Sequence, residues 1–336
     1  MIEPEKVAAH LDLLAKPKGS LGRLEDLAVR LGSIAGTLNP ETKPRRLLIF
    51  AGDHGVVRDG VGIWPQAVTG AMIHLIASGR ASCSALAAQF DASVVLVDAG
   101  SVIEDPPDCE LYKDRRIARG TLSLARQSAM TGDEFWKAWM VGQAAVGEAR
   151  AEGVRVLVLG EIGIGNTTAA AALIALGCEV GSDPLVGAGA GSTSESLERK
   201  RAAVRAGVAL SRQVVGSDPV AAMAGVAGFE IVAMAGAIAA AADAEIPVVL
   251  DGVVSGAAAI VAQAVDPAAL ETAIASHVSA EPAHRVALER LGLRPYLDWN
   301  LRLGEGTGGL LMLPMLDAAA AILKNVAKLE DVIGRP

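Results

Sequence analysis

Four short apolar runs punctuate the chain: Arg46-Leu-Leu-Ile-Phe50, Ser93-Val-Val-Leu-Val97, Val154-Arg-Val-Leu-Val-Leu159 and Pro247-Val-Val-Leu250. Each is continuous and bounded by glycine, proline or an acid, the pattern of a strand buried on both faces. Long alanine-rich segments of helical character separate them, so the pattern predicts an α/β chain: a parallel sheet whose strands are joined by crossover helices. Both ends of the chain read differently. Residues 3–36 predict helices interrupted by Lys16-Pro-Lys-Gly-Ser-Leu-Gly22, and residues from about 267 onward predict helices with turns at Gly292 to Pro295 and Gly304 to Gly309. The expected organisation is a large parallel α/β domain over residues 37–266 and a small helical domain from residues 1–36 and 267–336.

Every predicted strand is followed within three residues by a carboxylate, namely Asp53, Asp98, Glu161 and Asp251. Ligands of open parallel sheets bind outside the carboxyl ends of the strands, so these acids are expected to rim a crevice there. Loop acids and helix caps account for single cases equally well.

Composition narrows the chemistry. The 336 residues are 51% apolar and 3% aromatic, with a formal net charge of −8. A chain this apolar is not disordered, and an acidic balance argues against nucleic acid or an anionic membrane surface as partner. A spanning helix needs about 20 predominantly apolar residues; the run Ile231 to Ala242 is bracketed by Glu230 and Asp243, so no span is expected. The chain opens without a secretory pattern, and Cys83, Cys109 and Cys178 lack C-x-x-C spacing. A cytoplasmic protein without a metal site is the expectation.

Three segments can carry chemistry. Gly160-Glu-Ile-Gly-Ile-Gly-Asn-Thr-Thr168 joins the third predicted strand to the helix former Ala169 to Leu176. Its glycines let backbone amides approach an anion where the helix dipole is positive, which makes a phosphate cradle. It is neither a Walker A loop nor a dinucleotide fingerprint, and without that fingerprint a nicotinamide-dependent oxidoreductase is the weaker reading. Gly187-Ala-Gly-Ala-Gly191 supplies a second glycine loop, with Lys200 as its cation or, alternatively, on a solvated helix face. Leu301-Arg-Leu-Gly-Glu-Gly-Thr-Gly-Gly309 surrounds Glu305 with glycines, the setting of a carboxylate base held against a ligand. Of the histidines, His54, His277 and His284 are read as pocket or packing groups, since no G-x-S-x-G elbow accompanies them.

Read together, six ordered motifs resemble one family: Lys16-Pro-Lys-Gly-Ser-Leu-Gly-Arg-Leu-Glu25, Asp53-His-Gly-Val56, the Gly160–Thr168 loop, Leu250-Asp-Gly252, Ser276-His-Val-Ser-Ala-Glu281 and Arg302-Leu-Gly-Glu-Gly-Thr-Gly308. They are similar to those of the nicotinate-nucleotide:5,6-dimethylbenzimidazole phosphoribosyltransferases, over residues 10 to 325. The resemblance implies a Rossmann-like parallel sheet with a small helical domain from both termini, a homodimer, and no cofactor. It also implies transfer of the 5-phosphoribosyl group of nicotinate mononucleotide to 5,6-dimethylbenzimidazole in cobalamin lower-ligand assembly.

By the same resemblance, Glu305 is the general base and Glu161 a secondary acid. Gly163, Asn166, Thr167, Thr168, Gly189 and Lys200 hold phosphate and ribose, and Trp64, Met72 and Leu303 line the slot for the benzimidazole, which stacking and sulfur contacts suit. Ala188 and Ala190 stand where many relatives carry a basic residue, and Gly62-Ile-Trp-Pro65 departs from common variants. Another benzimidazole, a purine or a phenol is therefore the alternative acceptor.

Overall fold

The computed structural model describes residues 2–214 and 218–334. In chain order it begins with α1 (Pro4–Asp12), α2 (Arg23–Ile34), β1 (Arg45–Gly52), α3 (Ala67–Ala77), α4 (Ser82–Gln89), β2 (Ala92–Gly100), β3 (Tyr112–Asp114) and α5 (Gly132–Ala151). There follow β4 (Val156–Ile162), α6 (Asn166–Gly177), α7 (Ser194–Arg212), α8 (Pro219–Ala224) and α9 (Phe229–Asp243). The chain ends with β5 (Val248–Leu250), α10 (Val253–Val265), β6 (Ala273–Ala275), α11 (Pro282–Leu291), α12 (Thr307–Asn325) and α13 (Leu329–Ile333).

All strand pairs are parallel, in the order β3-β2-β1-β4-β5-β6. The order runs outward in opposite directions from β1 and β4, so the topological switch point lies between them. Both faces of the sheet are covered. Leu48, Phe50, Leu157 and Leu159 face a core built with α5, α6, α9 and α10. Their alternates Leu47, Ile49, Val156 and Val158 face a second core shared with α1, α2, α4 and α12. This two-sided burial is why the strands read as unbroken apolar runs.

Close helix packing explains the alanine and glycine content. A Cβ on Gly142 of α5 would lie 1.7 Å from the Ala233 carbonyl oxygen of α9. Helices from the two chain ends also meet: α1, α2 and α12 share one core, and Leu14 bridges Lys328.

Two elements differ from the sequence expectation. The stretch from residue 267 is not all helical, because β6 pairs with β5 through Ala275 opposite Leu250 and forms a sheet edge. Short β3 pairs with β2 at the other edge. Helix α12 is long and apolar enough to cross a membrane by length and composition. Its Leu310, Met312, Leu313 and Leu316 are buried in the core against the sheet, as in an internal helix of a globular domain.

Candidate active site

Beyond the carboxyl ends of β1 and β4, at the switch point, lies an open cavity of about 980 Å³ with the solvent at its mouth included. Its wall comes from Val61 to Trp64 after β1, Glu161 to Thr168 at the end of β4, Ala188 to Gly191, and Arg302 to Gly304 before α12. Gly252, His277 and Glu281 complete it from the loops after β5 and β6.

The first glycine loop is shaped by close approach. A Cβ on Gly163 would lie 2.1 Å from the Gly52 carbonyl oxygen, and Gly165 takes φ +97° at the cap of α6. The amino end of α6, positive by its peptide dipoles, thereby fronts the cavity. Lys200 reaches this end from α7. It is 2% exposed, and its Nζ donates to Thr167 Oγ1 at 2.8 Å and to the Gly187 carbonyl at 2.9 Å. Two of its three N–H groups are thus engaged, leaving one for a ligand anion. Burial holds its pKa below the usual lysine value, against the pull of nearby Glu281.

The second glycine loop is stitched to that arrangement. Gly189, at φ +57°, donates its N–H to Glu281 Oε1 at 2.8 Å. The Trp64 indole donates to the Ala190 carbonyl at 3.2 Å, tying the loop after β1 across the mouth.

Carboxylates gather at the inner wall, with Glu161 on it and Glu305 and Asp251 behind it. Glu161 accepts from the Asn166 amide. Burial and the neighbouring Asp251, Glu230 and Glu305 push its pKa up to about 8. Glu305 is 3% exposed and sits at φ +58° between Gly304 at +88° and Gly306 at +76°. Its Oε2 is buried without a hydrogen-bond partner among the described residues. Beside it lies the buried Cys83 thiol of α4, pushed up to about 12 by burial and by the Glu305 carboxylate. Asp251 accepts backbone N–H groups from Gly306, Gly308 and Gly309; burial raises its pKa to about 7 while those donors pull it down.

A family model described as phosphoribosyltransferase matches residues 4–332. The chain belongs to this phosphoribosyltransferase family. The nicotinate-nucleotide–dimethylbenzimidazole phosphoribosyltransferase of Thermus thermophilus is 42% identical, covering 99% of this chain and 100% of its own length. That of Geobacter sulfurreducens is 42% identical over 96% of this chain and 91% of its own. Crystallographic CobT from Thermus thermophilus superposes with a TM-score of 0.93 at 40% identity, covering 98% of both chains.

In this phosphoribosyltransferase the residues singled out from sequence fall into three groups. Glu161, Gly163, Asn166, Thr167, Thr168, Gly189, Lys200, Trp64 and Leu303 all border the one cavity. Trp64 and Leu303 are 48% and 58% exposed, at the mouth and outside the core. Lys200 is buried, which rules out the solvated helix face. Glu305 lies behind the wall that its neighbour Gly304 forms. Met72 is half-buried on α3 and outside the cavity wall.

Three of the four strand-end acids do not border the cavity, Asp251 among them, buried behind Gly252. Asp98 is held at the β2–β3 side by Ser101 and Tyr112, and Asp53 accepts from the Val102 N–H at 2.9 Å. Asp98 lies in β2 and Asp53 just after β1, and both are buried. His54 pairs with Glu230 at 2.7 Å beneath the first glycine loop. His284 accepts from the Ser279 N–H, while His277 reaches the wall. Glu281 and Cys83 are site neighbours that sequence reading missed. Glu281 had a signal, standing in one of the six motifs, whereas nothing around Cys83 marked it.

Proposed function

We propose that this phosphoribosyltransferase moves the 5-phosphoribosyl group of nicotinate mononucleotide to 5,6-dimethylbenzimidazole, releasing nicotinate and forming α-ribazole 5′-phosphate. The names of its relatives support the substrate pair. The observation that carries the chemistry is Glu305, a buried carboxylate whose Oε2 has no donor among the described residues and whose loop borders the cavity. A buried acceptor without a partner calls for one, and a benzimidazole N–H supplies it.

The donor phosphate binds at the amino end of α6, with Gly163, Asn166, Thr167 and Thr168, and takes the remaining N–H of Lys200. Gly189 borders the same place. That cation and the helix dipole serve in place of the basic residue that Ala188 and Ala190 replace. The nicotinate ring of the donor is a pyridinium, so it departs neutral and needs no general acid. The acceptor attacks with one ring nitrogen while Glu305 takes the proton from the other. Attack opposite to departure turns the β-linkage into an α-linkage, and holding both rings in line supplies much of the acceleration.

Trp64 and Leu303 offer apolar surface to a flat base. Their place at an open mouth also accommodates another benzimidazole, a purine or a phenol, and a panel of these acceptors ranks them. The same reading takes the enzyme as a cytoplasmic homodimer. Light scattering and fractionation measure each.

The test is the Glu305→Gln variant. Donor binding is expected to persist by calorimetry, while nicotinate release in the presence of 5,6-dimethylbenzimidazole falls by roughly 10²-fold or more, the scale of a lost general base. Undiminished turnover overturns the assignment of the base.

A further inference from the structure

Glu305 occupies a left-handed backbone conformation that residues with a side chain adopt uncommonly, although Glu179 and Glu245 of this chain share it. Three successive residues, Gly304, Glu305 and Gly306, have positive φ, and a non-glycine residue there costs about 1–3 kcal/mol and persists only where its surroundings hold it. Something must therefore fix the loop. The backbone of β4 supplies one side, since Gly160 lets the Glu305 carbonyl approach where a Cβ would stand 2.6 Å from it.

Asp251, at the end of β5, supplies the other. Its Oδ2 accepts the Gly306 N–H at 3.1 Å, and its Oδ1 accepts those of Gly308 at 2.8 Å and Gly309 at 3.2 Å. These are the cap and first-turn amides of α12, whose own cap residue is a glycine with no side chain to offer. A carboxylate from another strand thus does what an N-cap side chain does, at the positive end of the helix. It is 3% exposed and does not itself border the cavity, although the next residue, Gly252, does. On the cavity side the His277 imidazole covers it, with Nδ1 at 3.7 Å from Asp251 Oδ1. The fit depends on glycine at 308, where a Cβ would stand 2.0 Å from that nitrogen.

We infer that Asp251 is a positioning residue for the transfer: by clamping the amides of Gly306, Gly308 and Gly309 it fixes the backbone that aims Glu305 at the acceptor. This rests on the reading of Glu305 as the base. Asp251 touches neither substrate nor the travelling proton; it acts through the loop.

The test compares Asp251→Asn with the unaltered enzyme in steady-state turnover of nicotinate mononucleotide and 5,6-dimethylbenzimidazole, and in hydrogen exchange over residues 302–312. An amide in place of the carboxylate turns an N–H toward amides that need an acceptor. We expect kcat to fall roughly 10- to 100-fold, the scale of one or two charge-assisted hydrogen bonds, with little change in donor KM. Exchange is expected to quicken at residues 306–309 and stay unchanged in the Gly163–Thr168 loop. Unchanged kcat and unchanged local exchange in folded Asp251→Asn overturn the inference, as does a loss confined to donor KM.

Should Asp251→Asn fail to fold, Asp251→Glu keeps the charge while pushing the clamp one methylene outward. The same fall in kcat and faster local exchange are expected, and full activity with unchanged exchange overturns the inference. Failure of the base assignment is separately visible. There Glu305→Gln keeps its turnover, whereas the exchange measurement on Asp251→Asn still reads the clamp.

Discussion

Replacing Gly160 by alanine tests how tightly the base is held. The strand places no positive φ on Gly160, so alanine is conformationally acceptable there. Its methyl carbon, however, would stand 2.6 Å from both the Glu305 carbonyl carbon and the Gly306 nitrogen. Neither contact is the flexible end of a side chain; both are backbone. Ordinary contact starts near 3.4 Å, so the loop must retreat by about 0.8 Å, from 2.6 to 3.4 Å. A displacement of about 1 Å at a catalytic group can cost on the order of 10²-fold in rate, and overpacking a filled core costs about 1–3 kcal/mol. Gly160→Ala is therefore expected to fold with a lowered melting temperature and to lose roughly 10²-fold in kcat, while donor KM holds. Initial rates over a grid of both substrates, with a thermal melt, measure each quantity. Full kcat in the folded variant, or an effect confined to donor KM, refutes the reasoning that this strand positions Glu305.

Other expectations follow from the same structure. Lys200→Met removes a buried ammonium that borders the cavity; donor KM should rise by roughly 10- to 100-fold, the worth of a charged hydrogen bond, with kcat less affected, as initial rates at varied donor concentration will report. For Glu161, folding raises the pKa from 4.5 to about 8. Its neutral form is thus the one compatible with burial, full stability from this group holds below pH 4.5, and it is lost as pH rises through about 8. Glu161→Gln should become progressively more stable than the parent across that window, by at most about 5 kcal/mol at 1.36 kcal/mol per unit, in denaturant melts at a series of pH values; a difference independent of pH contradicts the cause. Asp98→Ala strands buried donors on Gly100, Ser101 and Tyr112. It should lose about 3 kcal/mol or more yet keep kcat at a temperature where it is folded.

Much of this was legible in the sequence because burial on both faces writes itself into a strand as an unbroken apolar run. The central strands β1, β2, β4 and β5 carry that signature. Edge strands β3 and β6, Tyr112–Asp114 and Ala273–Ala275, lack the run of branched apolar residues that marks the equally short β5, Val248–Leu250; their structure comes from pairing with β2 and β5. The glycine loops were readable for a related reason, since close backbone approach, as at Gly163, excludes every side chain. The carboxylates were harder. A strand-end acid looks the same whether it borders the switch point, as Glu161 does, or ties a loop elsewhere, as Asp98 does. Strand order decides between them, and order is a tertiary property. Lys200 was ambiguous because a helical face is solvated or buried according to its neighbours, here Thr167 and Gly187. Cys83 meets Glu305 only through the packing of α4 and α12 on one face of the sheet, which no local pattern announces.

The most direct test of the account is the product itself. Purified protein is incubated with nicotinate mononucleotide and 5,6-dimethylbenzimidazole, nicotinate is quantified by chromatography with mass detection, and the anomeric configuration of the new nucleotide is read by NMR. The account predicts nicotinate and α-ribazole 5′-phosphate in equal amounts, with the configuration inverted. A β-configured product would contradict single in-line displacement, and no product across benzimidazoles, purines and phenols would contradict the proposed transfer.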